Sequence, residues 1–307
     1  MDCVPHVHSV HQPRKTVMKI GVSSYSYSRL VHNGVMTELD VIHKAKEMGF
    51  DAIEFAGFNL PEGETALSFA EKARATCEAV GLDVINYAVG ADFIQGSNGN
   101  LAAEIERVKD EARVAHALGA PGMRHDATRG FPAGHVGAKS FDAALPRVAD
   151  GCRAVTEFAA TLGVRTMVEN HGYFCQDSAR VEKLICAVNH PNFGALIDIG
   201  NFACADEDCA QAVGCLTPYA FHVHAKDFHL KPGTLANPGE GWFSSRAGNY
   251  LRGAIIGHGD IPVAQCLVIL KSAGYDGPLS IEFEGMEEPV LGIDLGLKNL
   301  RRMVETI

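Results

Sequence analysis

Two histidines in the segment FHVHAKD, residues 221–227, have the spacing of a site on a strand. Apolar and polar residues alternate there with a period of two, so His222 and His224 project to one face while Phe221 and Val223 project to the other. Imidazoles bind metals and transfer protons near neutral pH. An isolated pair of this kind more often belongs to a protein core than to a site, so its interpretation depends on what the fold places beside it.

The chain repeats one pattern: an amphipathic helical stretch, a glycine, and a short apolar strand that ends in polar residues. Glycine directly after a helix adopts the left-handed conformation that ends it, and five such joints are Gly49, Gly81, Gly119, Gly163 and Gly274. The predicted strands cover residues 20–24, 50–54, 82–86, 122–125, 164–169, 194–198, 221–227 and 279–282. Eight strands alternating with helices predict an α/β fold, a single-domain (β/α)8 TIM barrel over residues 18–307.

A doubly wound open sheet would alternate in the same way, but no GxGxxG follows the first strand. Two segments lie outside the repeat. Residues 1–17 show no periodicity and are predicted to be a flexible N-terminal extension. The connection between Asp227 and Ile261 is long, rich in glycine and proline and without a regular pattern, so we expect a lid or binding loop after strand seven.

Polar side chains end strands five to eight, at the rim where a (β/α)8 barrel carries its catalytic groups. They are Glu169 on strand five, Asp198 on six, His222 or His224 on seven, and Glu282 or Glu284 on eight. Carboxylates that share a buried rim repel one another unless a positive charge neutralises them. Three carboxylates and one imidazole suit Mn²⁺, Mg²⁺, Co²⁺ or Zn²⁺. Singly, Asp198 could cap the next helix and Glu54, at the end of strand two, could pair with an arginine.

Five motifs together resemble the xylose isomerase-like TIM-barrel family, and the resemblance covers Lys19 to the C-terminus. They are GFDAIE at 49–54, VENH at 168–171, IDIGN at 197–201, HVHAKD at 222–227 and GYDGPLSIE at 274–282. The family contains sugar isomerases, ketose 3-epimerases, hydroxypyruvate isomerase-like and inosose dehydratase-like enzymes, and endonuclease IV-type repair enzymes. The resemblance implies one divalent metal ion held by Glu169, Asp198, His224 and Glu282. Mn²⁺ is the first expectation, before Mg²⁺, Co²⁺ or Zn²⁺.

The sequence departs from some members of the family at two places. Endonuclease IV-type enzymes and ketose 3-epimerases carry a histidine three residues after the strand-six aspartate, where this chain has Asn201. The long connection after strand seven resembles the longer members, which include the large subunits of C-glycoside deglycosidases. The resemblance therefore allows a homo-oligomer or, for a C-glycoside deglycosidase, a small second subunit.

The activity implied by the resemblance is isomerisation or epimerisation of a sugar, by proton abstraction next to a carbonyl through a metal-stabilised enediolate. Glu169 and Glu282 are the implied acid/base pair, and His171 is an alternative base, with His222 and His125 as further possibilities. Eight residues are predicted to bind substrate: Tyr25, Glu54, Arg124, His125, Asn201, Lys226, Trp242 and Arg246.

Three rival functions use the same barrel. A lyase, either a dehydratase or an enzyme that cleaves 3-oxo-glycosides or C-glycosides, would let the same enolate expel a β-substituent. An endonuclease IV-like repair hydrolase is disfavoured by Asn201 and by a net charge of −10 without a basic cluster. A noncatalytic sugar-binding barrel is disfavoured because every ligand-type residue is present.

Composition limits the partners and the location. No run approaches the 18 or so apolar residues of a membrane span, and the first residues lack the apolar region of a secretory signal. The nine cysteines are scattered without a CxxC, as in proteins of a reducing compartment. We therefore expect a cytoplasmic protein that binds a small-molecule sugar or sugar derivative, and neither nucleic acid nor membrane.

Overall fold

The computed structural model describes residues 18–307, so the predicted extension at 1–17 lies outside the described residues. Eight parallel strands close into a barrel, as predicted. They are β1 (Ile20–Ser23), β2 (Ala52–Ala56), β3 (Asp83–Val89), β4 (Gly122–His125), β5 (Arg165–Glu169), β6 (Phe193–Asp198), β7 (Ala220–Ala225) and, as the eighth, β11 (Leu279–Ile281). Their order around the barrel is β1-β11-β7-β6-β5-β4-β3-β2.

Helices surround the barrel and pack their apolar faces on the strands. They are α1 (Ser28–His32), α2 (Glu38–Glu47), α3 (Ala66–Val80), α4 (Leu101–Leu118), α5 (Phe141–Thr161), α6 (Ser178–Val188), α7 (Cys209–Leu216), α8 (Val263–Ser272) and α9 (Pro289–Thr306). Fully buried side chains such as Phe55, Leu118 and Leu184 fill the layer between helices and strands. None of the helices in this part of the chain has the length and hydrophobicity that a membrane span requires.

The glycine joints have the backbone that the sequence predicts. Gly81 and Gly119 end α3 and α4 in the left-handed region, with φ of 68° and 79°, and the other three joints also have positive φ. Side chains begin the helices: Thr37 accepts a hydrogen bond from the backbone of Asp40, whose carboxylate binds the Thr37 backbone in return. These local signals fix where each helix and strand begins and ends. The regular alternation of strand and helix then places the carboxyl-terminal ends of the strands at one rim.

The connection after strand seven differs from the prediction. Within it, β8 (Asp227–Lys231), β9 (Phe243–Ser244) and β10 (Tyr250–Ala254) form a three-stranded antiparallel sheet in the order β8-β10-β9. We call residues 227–261 the insert. The sheet depends on pairing between residues about twenty positions apart, and Gly253 interrupts the apolar alternation of β10, so no local pattern reveals it.

Two strands of the barrel, β2 and β3, extend past their predicted ends. Strand β3 continues beyond Asn86 to Val89, and β2 continues beyond Glu54 to Ala56. Asn86 and Glu54 therefore lie inside the barrel, one pleat or more below the rim. Small residues, Ala56 and Ala88, occupy the rim positions on this side and leave room above the barrel interior.

Candidate metal centre

Four acidic and imidazole side chains meet at the carboxyl-terminal rim of the barrel. Glu169, Asp198, His224 and Glu282 each contribute an atom that lies within 4.8 Å of the others. They come from β5, β6, β7 and the end of β11, which are consecutive around the barrel, and Asp198 is paired directly with His224 across the sheet. Parallel pairing of neighbouring strands thus brings together residues that are up to 113 positions apart, as 282 − 169 shows. We call these four residues the acidic cluster.

The imidazole of His224 is oriented by a carboxylate beneath it. Nε2 lies 2.8 Å from Oε1 of Glu54, whereas Nδ1 makes no hydrogen bond and lies 3.4 Å from Glu282 Oε2 and 3.7 Å from Asp198 Oδ2. Burial opposes a charge on this ring, but the carboxylates of Glu54 and Glu282 outweigh it and raise the pKa of His224 well above its usual value. The cluster therefore favours positive charge on or directly beside this nitrogen.

Two carboxylates of the cluster, Asp198 and Glu169, accept hydrogen bonds through one oxygen, and the second oxygen of Asp198 makes no hydrogen bond. Asp198 Oδ1 accepts hydrogen bonds of 2.9 Å from the backbone N–H groups of Gly200 and Asn201, so it also caps the next turn of the chain, as one interpretation of the sequence allowed. Glu169 Oε1 accepts a hydrogen bond of 2.9 Å from Asn201 Nδ2. Asp198 Oδ2 is buried and makes no hydrogen bond. A buried acceptor without a donor costs free energy unless a cation or a donor meets it.

These residues fit a divalent cation. Three carboxylates and one imidazole are ligands of Mn²⁺, Mg²⁺ and Zn²⁺, and the atoms without hydrogen bonds, Asp198 Oδ2 and His224 Nδ1, face the middle of the cluster. The ammonium of Lys226 lies beside the same oxygens, 3.0 Å from Asp198 Oδ2 and 2.5 Å from Glu282 Oε2, but without the alignment of a hydrogen bond to Asp198. The site thus attracts positive charge from the protein itself.

The two glutamates of the cluster have different electrostatic surroundings. Burial raises the pKa of Glu169 above its usual value, although Arg124 Nε lies 2.5 Å from its Oε2 and opposes that effect. Burial also disfavours the charged form of Glu282, but Lys226 and His224 outweigh it and hold the pKa of Glu282 well below its usual value. The same residue type is therefore electrostatically different on the two sides of the cluster.

A second acidic and imidazole group lies one layer deeper in the barrel. Glu54, His222 and His224 are also close enough to hold a cation. Here, however, every oxygen has a partner: Glu54 Oε2 accepts a hydrogen bond of 2.8 Å from Asn86 Nδ2 and lies 3.3 Å from His222 Nε2, which is 2.8 Å from Ser280 Oγ. Glu54 is fully buried and its pKa is held at about 2, because the two histidines outweigh burial. Hydrogen bonds therefore satisfy this deeper group.

A cavity of about 240 Å³ opens above the acidic cluster. Glu169, His224 and Glu282 form its floor, and four of the other residues predicted from the sequence line its walls: Tyr25, Arg124, His171 and Lys226. Glu284, the other glutamate after β11, lines the wall as well, 3.4 Å from Lys226 Nζ. Ala56 on β2, Val89 on β3 and Gly90 directly after β3 also line the cavity, and the sequence did not single them out.

Asp126 is a polar residue of the site that sequence reasoning missed. Its Oδ1 lies 2.9 Å from His171 Nδ1 and 3.0 Å from a terminal nitrogen of Arg124, so it joins two walls of the cavity. Burial lowers the pKa of His171, but the Asp126 carboxylate more than compensates and the net pKa is raised. Its position directly after His125, at the end of β4, was a signal that could have revealed it.

Five of the residues predicted to bind substrate do not line the cavity. Glu54 lies beneath His224, and Asn201 bridges Glu169 and Lys226 from behind. The ring of His125 is buried between Phe93 and Phe193. The other two belong to the insert: Trp242 stacks beneath the cations of Lys231 and Arg252, and Arg246 pairs with Asp177 and the backbone oxygen of Tyr173.

Comparison with known proteins agrees with this architecture. The family model described as "Xylose isomerase-like TIM barrel" matches residues 42–303. No curated protein matches the sequence. A xylose isomerase domain protein from Planctomyces limnophilus superposes with a TM-score of 0.70 at 21% identity, covering 95% of this chain and 99% of that one.

Two named epimerases also share the fold. The 3-keto-D-glucoside 4-epimerase of E. coli has a TM-score of 0.68 at 18% identity, covering 93% of this chain and 99% of its own. The D-psicose 3-epimerase of Clostridium cellulolyticum H10 has a TM-score of 0.69 at 17% identity, covering 94% and 99%. At these identities the likeness establishes the fold.

Proposed function

This chain belongs to the xylose isomerase-like TIM-barrel family, and we propose that it is a divalent-metal-dependent isomerase or epimerase of a carbonyl sugar. The observation that carries the proposal is the acidic cluster at the floor of a cavity, with two of its carboxylates, Glu169 and Glu282, exposed to whatever the cavity binds. Glu169, Asp198, His224 and Glu282 would hold the cation. When bound, a divalent cation supplies a Lewis acid that polarises a carbonyl and stabilises negative charge on its oxygen.

The chain's own groups account for the remaining requirements of proton transfer. Glu169 and Glu282 reach the cavity from different strands, so one carboxylate can take a proton from the carbon beside the carbonyl while the other returns a proton. Return to the same carbon from the other face gives an epimer, and return to the neighbouring carbon gives an isomer. Arg124 and Lys226 line the same space and can hold substrate hydroxyls by charge-assisted hydrogen bonds.

Elimination is the second reaction that this cavity supports. After the same proton abstraction, a substituent on the next carbon can leave if a nearby acid donates a proton to it. The ammonium of Lys226 and the phenol of Tyr25 line the cavity and are donors of that kind. A lyase would therefore use the same cluster and differ only in the step after proton abstraction.

The test is proton exchange in D₂O, followed by NMR on purified protein loaded with Mn²⁺. The substrates are a panel of ketoses, inososes and 3-oxo-glycosides. We expect deuterium at the carbon beside the carbonyl together with an epimeric or isomeric product, and loss of the signal in Glu282→Gln. The matched control is Glu240→Gln, an exposed glutamate of the insert, which should exchange like the wild type.

The other outcomes separate the rivals. Exchange accompanied by loss of a substituent would identify a lyase. Cleavage of a duplex with an abasic site, without exchange in any sugar, would identify a nuclease. If no sugar exchanges in the metal-loaded protein, or if Glu282→Gln exchanges as fast as the wild type, the proposal is wrong.

A further inference from the structure

A second cleft adjoins the catalytic cavity and opens to solvent. It has a volume of about 550 Å³ and is formed by the segments directly after β3 and β4 and by Glu104 and Arg107 of α4. Gly90 lines both spaces. Asp126 also lines the cleft, while its Oδ1 contacts Arg124 and His171 of the catalytic cavity. The two spaces therefore share one boundary, made by Gly90 and Asp126.

The two spaces are open to each other at this boundary because residue 90 has no side chain. A Cβ atom on Gly90 would lie 3.9 Å from Asp126 Oδ2, so any larger side chain would extend into the gap between the two spaces. The backbone of Gly90 is also fixed, since its carbonyl accepts a hydrogen bond of 2.7 Å from Arg107. A molecule seated over the acidic cluster can thus extend past residue 90 into the cleft.

The far wall of the cleft is built around a buried charge. Glu104 is 2% exposed and accepts hydrogen bonds of 3.1 Å from the Asp92 backbone, 2.8 Å from Ser97 Oγ and 2.7 Å from Arg107. Ser97 and Asn98 have φ of 49° and 57°, a left-handed conformation that costs free energy for residues other than glycine. Backbone strain of this kind persists only where surrounding contacts enforce it, and it is typical of ligand-binding segments.

Size argues that one ligand occupies both spaces. Small-molecule sites commonly measure about 300–1,000 Å³. The catalytic cavity, at about 240 Å³, is below that range, whereas the cavity and the cleft together fall within it. The reacting ring would fill the cavity, and a second unit of the same molecule would fill the cleft.

The chemistry of the cleft selects the second unit. Three carboxylates, Asp92, Glu104 and Asp126, outnumber two guanidinium groups, Arg107 and Arg129, so the lining is net negative and disfavours a phosphate. Arg129 is exposed and makes no ion pair among residues 18–307, which leaves its donors free for a ligand. The lining contains no aromatic ring, and its groups are those that bind neutral hydroxyls.

We propose that the substrate is a carbonyl sugar that carries a second neutral, hydroxyl-rich unit, such as a disaccharide or glycoside, and that the cleft binds this second unit. The inference rests on the proposed function for the chemistry of the reacting ring. The cleft itself takes part in no bond making or breaking.

The experiment compares matched substrates in the metal-loaded full-length protein. The pairs are isomaltulose against fructose, and 3-oxo-cellobiose against methyl 3-oxo-β-glucoside. Proton exchange gives kcat/KM for each, and calorimetry gives the binding of each. The variants are Arg129→Ala, which removes a donor of the cleft, and Gly90→Val, which raises the boundary. Arg302→Ala, an exposed arginine on α9, is the control.

We expect the larger member of a pair to have the higher kcat/KM. Arg129→Ala should lower kcat/KM for that member by about tenfold, the effect of losing a hydrogen bond to a charged group, and leave the smaller member unchanged. Gly90→Val should lower kcat/KM for the larger member further. Arg302→Ala should change kcat/KM for neither member of the pair.

The failures of the two proposals are distinguishable. Exchange in the smaller sugars with no preference for the larger ones, and no selective effect of Arg129→Ala, would overturn the cleft and leave the proposed function intact. Binding of the larger sugars that depends on Arg129, without exchange in any substrate, would support the cleft and overturn the proposed function.

Discussion

The two sides of the His224 ring show how similar residues take different tasks. On the Nε2 side, Glu54 is fully buried and its oxygens are met by His224, Asn86 and His222. On the Nδ1 side, the acidic cluster keeps Asp198 Oδ2 and Nδ1 itself without hydrogen bonds, beneath a cavity. Both groups contain acids and imidazoles at metal-binding distances.

The two sides differ in whether their polar atoms have hydrogen-bond partners within the protein and in whether a ligand from solution can reach them. A carboxylate whose partners are all protein groups orients its neighbours, whereas one with a free oxygen beneath a cavity can take a ligand from solution. On this comparison we propose that the cation binds on the Nδ1 side and that Glu54 orients the His224 ring. Four predictions test this assignment, from the largest expected effect to the smallest.

Glu169→Gln should have the largest effect, because it removes a carboxylate that faces the cavity. Loss of one acid or base in proton transfer costs about 10²–10⁴-fold in rate. The measurement is the rate of deuterium exchange under saturating Mn²⁺, which compensates for weaker metal binding. A rate within about threefold of the wild type would remove Glu169 from the proton path.

Glu54→Gln should weaken metal binding without touching the cavity. The amide no longer provides the carboxylate that fixes the His224 ring, and loss of such an outer partner typically lowers metal affinity by about 10–100-fold. Competition titration with Co²⁺ gives the affinity, and the visible spectrum of the Co²⁺ protein reports the ligand geometry. An unchanged affinity and spectrum in a folded Glu54→Gln protein would refute the orienting role.

His222→Asn should affect stability rather than metal binding. It leaves Ser280 Oγ and one side of Glu54 without a buried partner, which costs about 1–3 kcal/mol of unfolding free energy. We expect metal affinity to stay within about threefold of the wild type, below the effect of losing an orienting carboxylate. Chemical denaturation and the Co²⁺ titration measure the two quantities. A loss of metal affinity well above threefold, with little change in the free energy of unfolding, would indicate that the ion binds in the deeper group.

Asp206→Ala should have the smallest effect on the protein. It tests whether a carboxylate whose partners are all protein groups contributes to stability and not to metal binding. Asp206 accepts hydrogen bonds from Ser245, Ala247 and Asn249, and so fastens the insert to the barrel. Burial opposes its charge, but these bonds outweigh burial and lower its pKa below 3.8. Its contribution is therefore complete above about pH 3.8 and is lost as the pH falls through the lowered value.

We expect Asp206→Ala to lower Tm by roughly 2 °C at pH 7, because the residue is exposed. The difference from the wild type should shrink as the pH falls below 3.8 and disappear once the pH is below the lowered pKa of Asp206, and metal affinity should not change. A Tm difference that persists below the lowered pKa, measured by a pH series of thermal melts, would contradict this account.

The barrel was predictable because its signals are local. Helix caps and glycine joints recur along the chain, and parallel pairing then places Glu169, Asp198 and Glu282 at one rim without further information. The features that remained hidden depend on distant pairing. The insert's sheet joins residues such as Leu230 and Leu251, which no short pattern connects.

Depth within the barrel was the other limit. The sequence predicted Glu54 at the end of strand two, but β2 continues to Ala56 and β3 to Val89, which places Glu54 below the rim. Gly90 belongs to no motif, and the one sequence signal for Asp126 is its position directly after His125. Their importance comes from the position of two loops relative to each other, which only the folded chain shows.

The most direct test of the central claim is a Mn²⁺ titration followed by EPR on three proteins: the wild type, Asp198→Ala and His222→Asn. We predict one bound ion per chain in the wild type and in His222→Asn, and none in Asp198→Ala at the same free Mn²⁺. Retention of the ion in Asp198→Ala together with its loss in His222→Asn would place the ion in the deeper group and contradict the account.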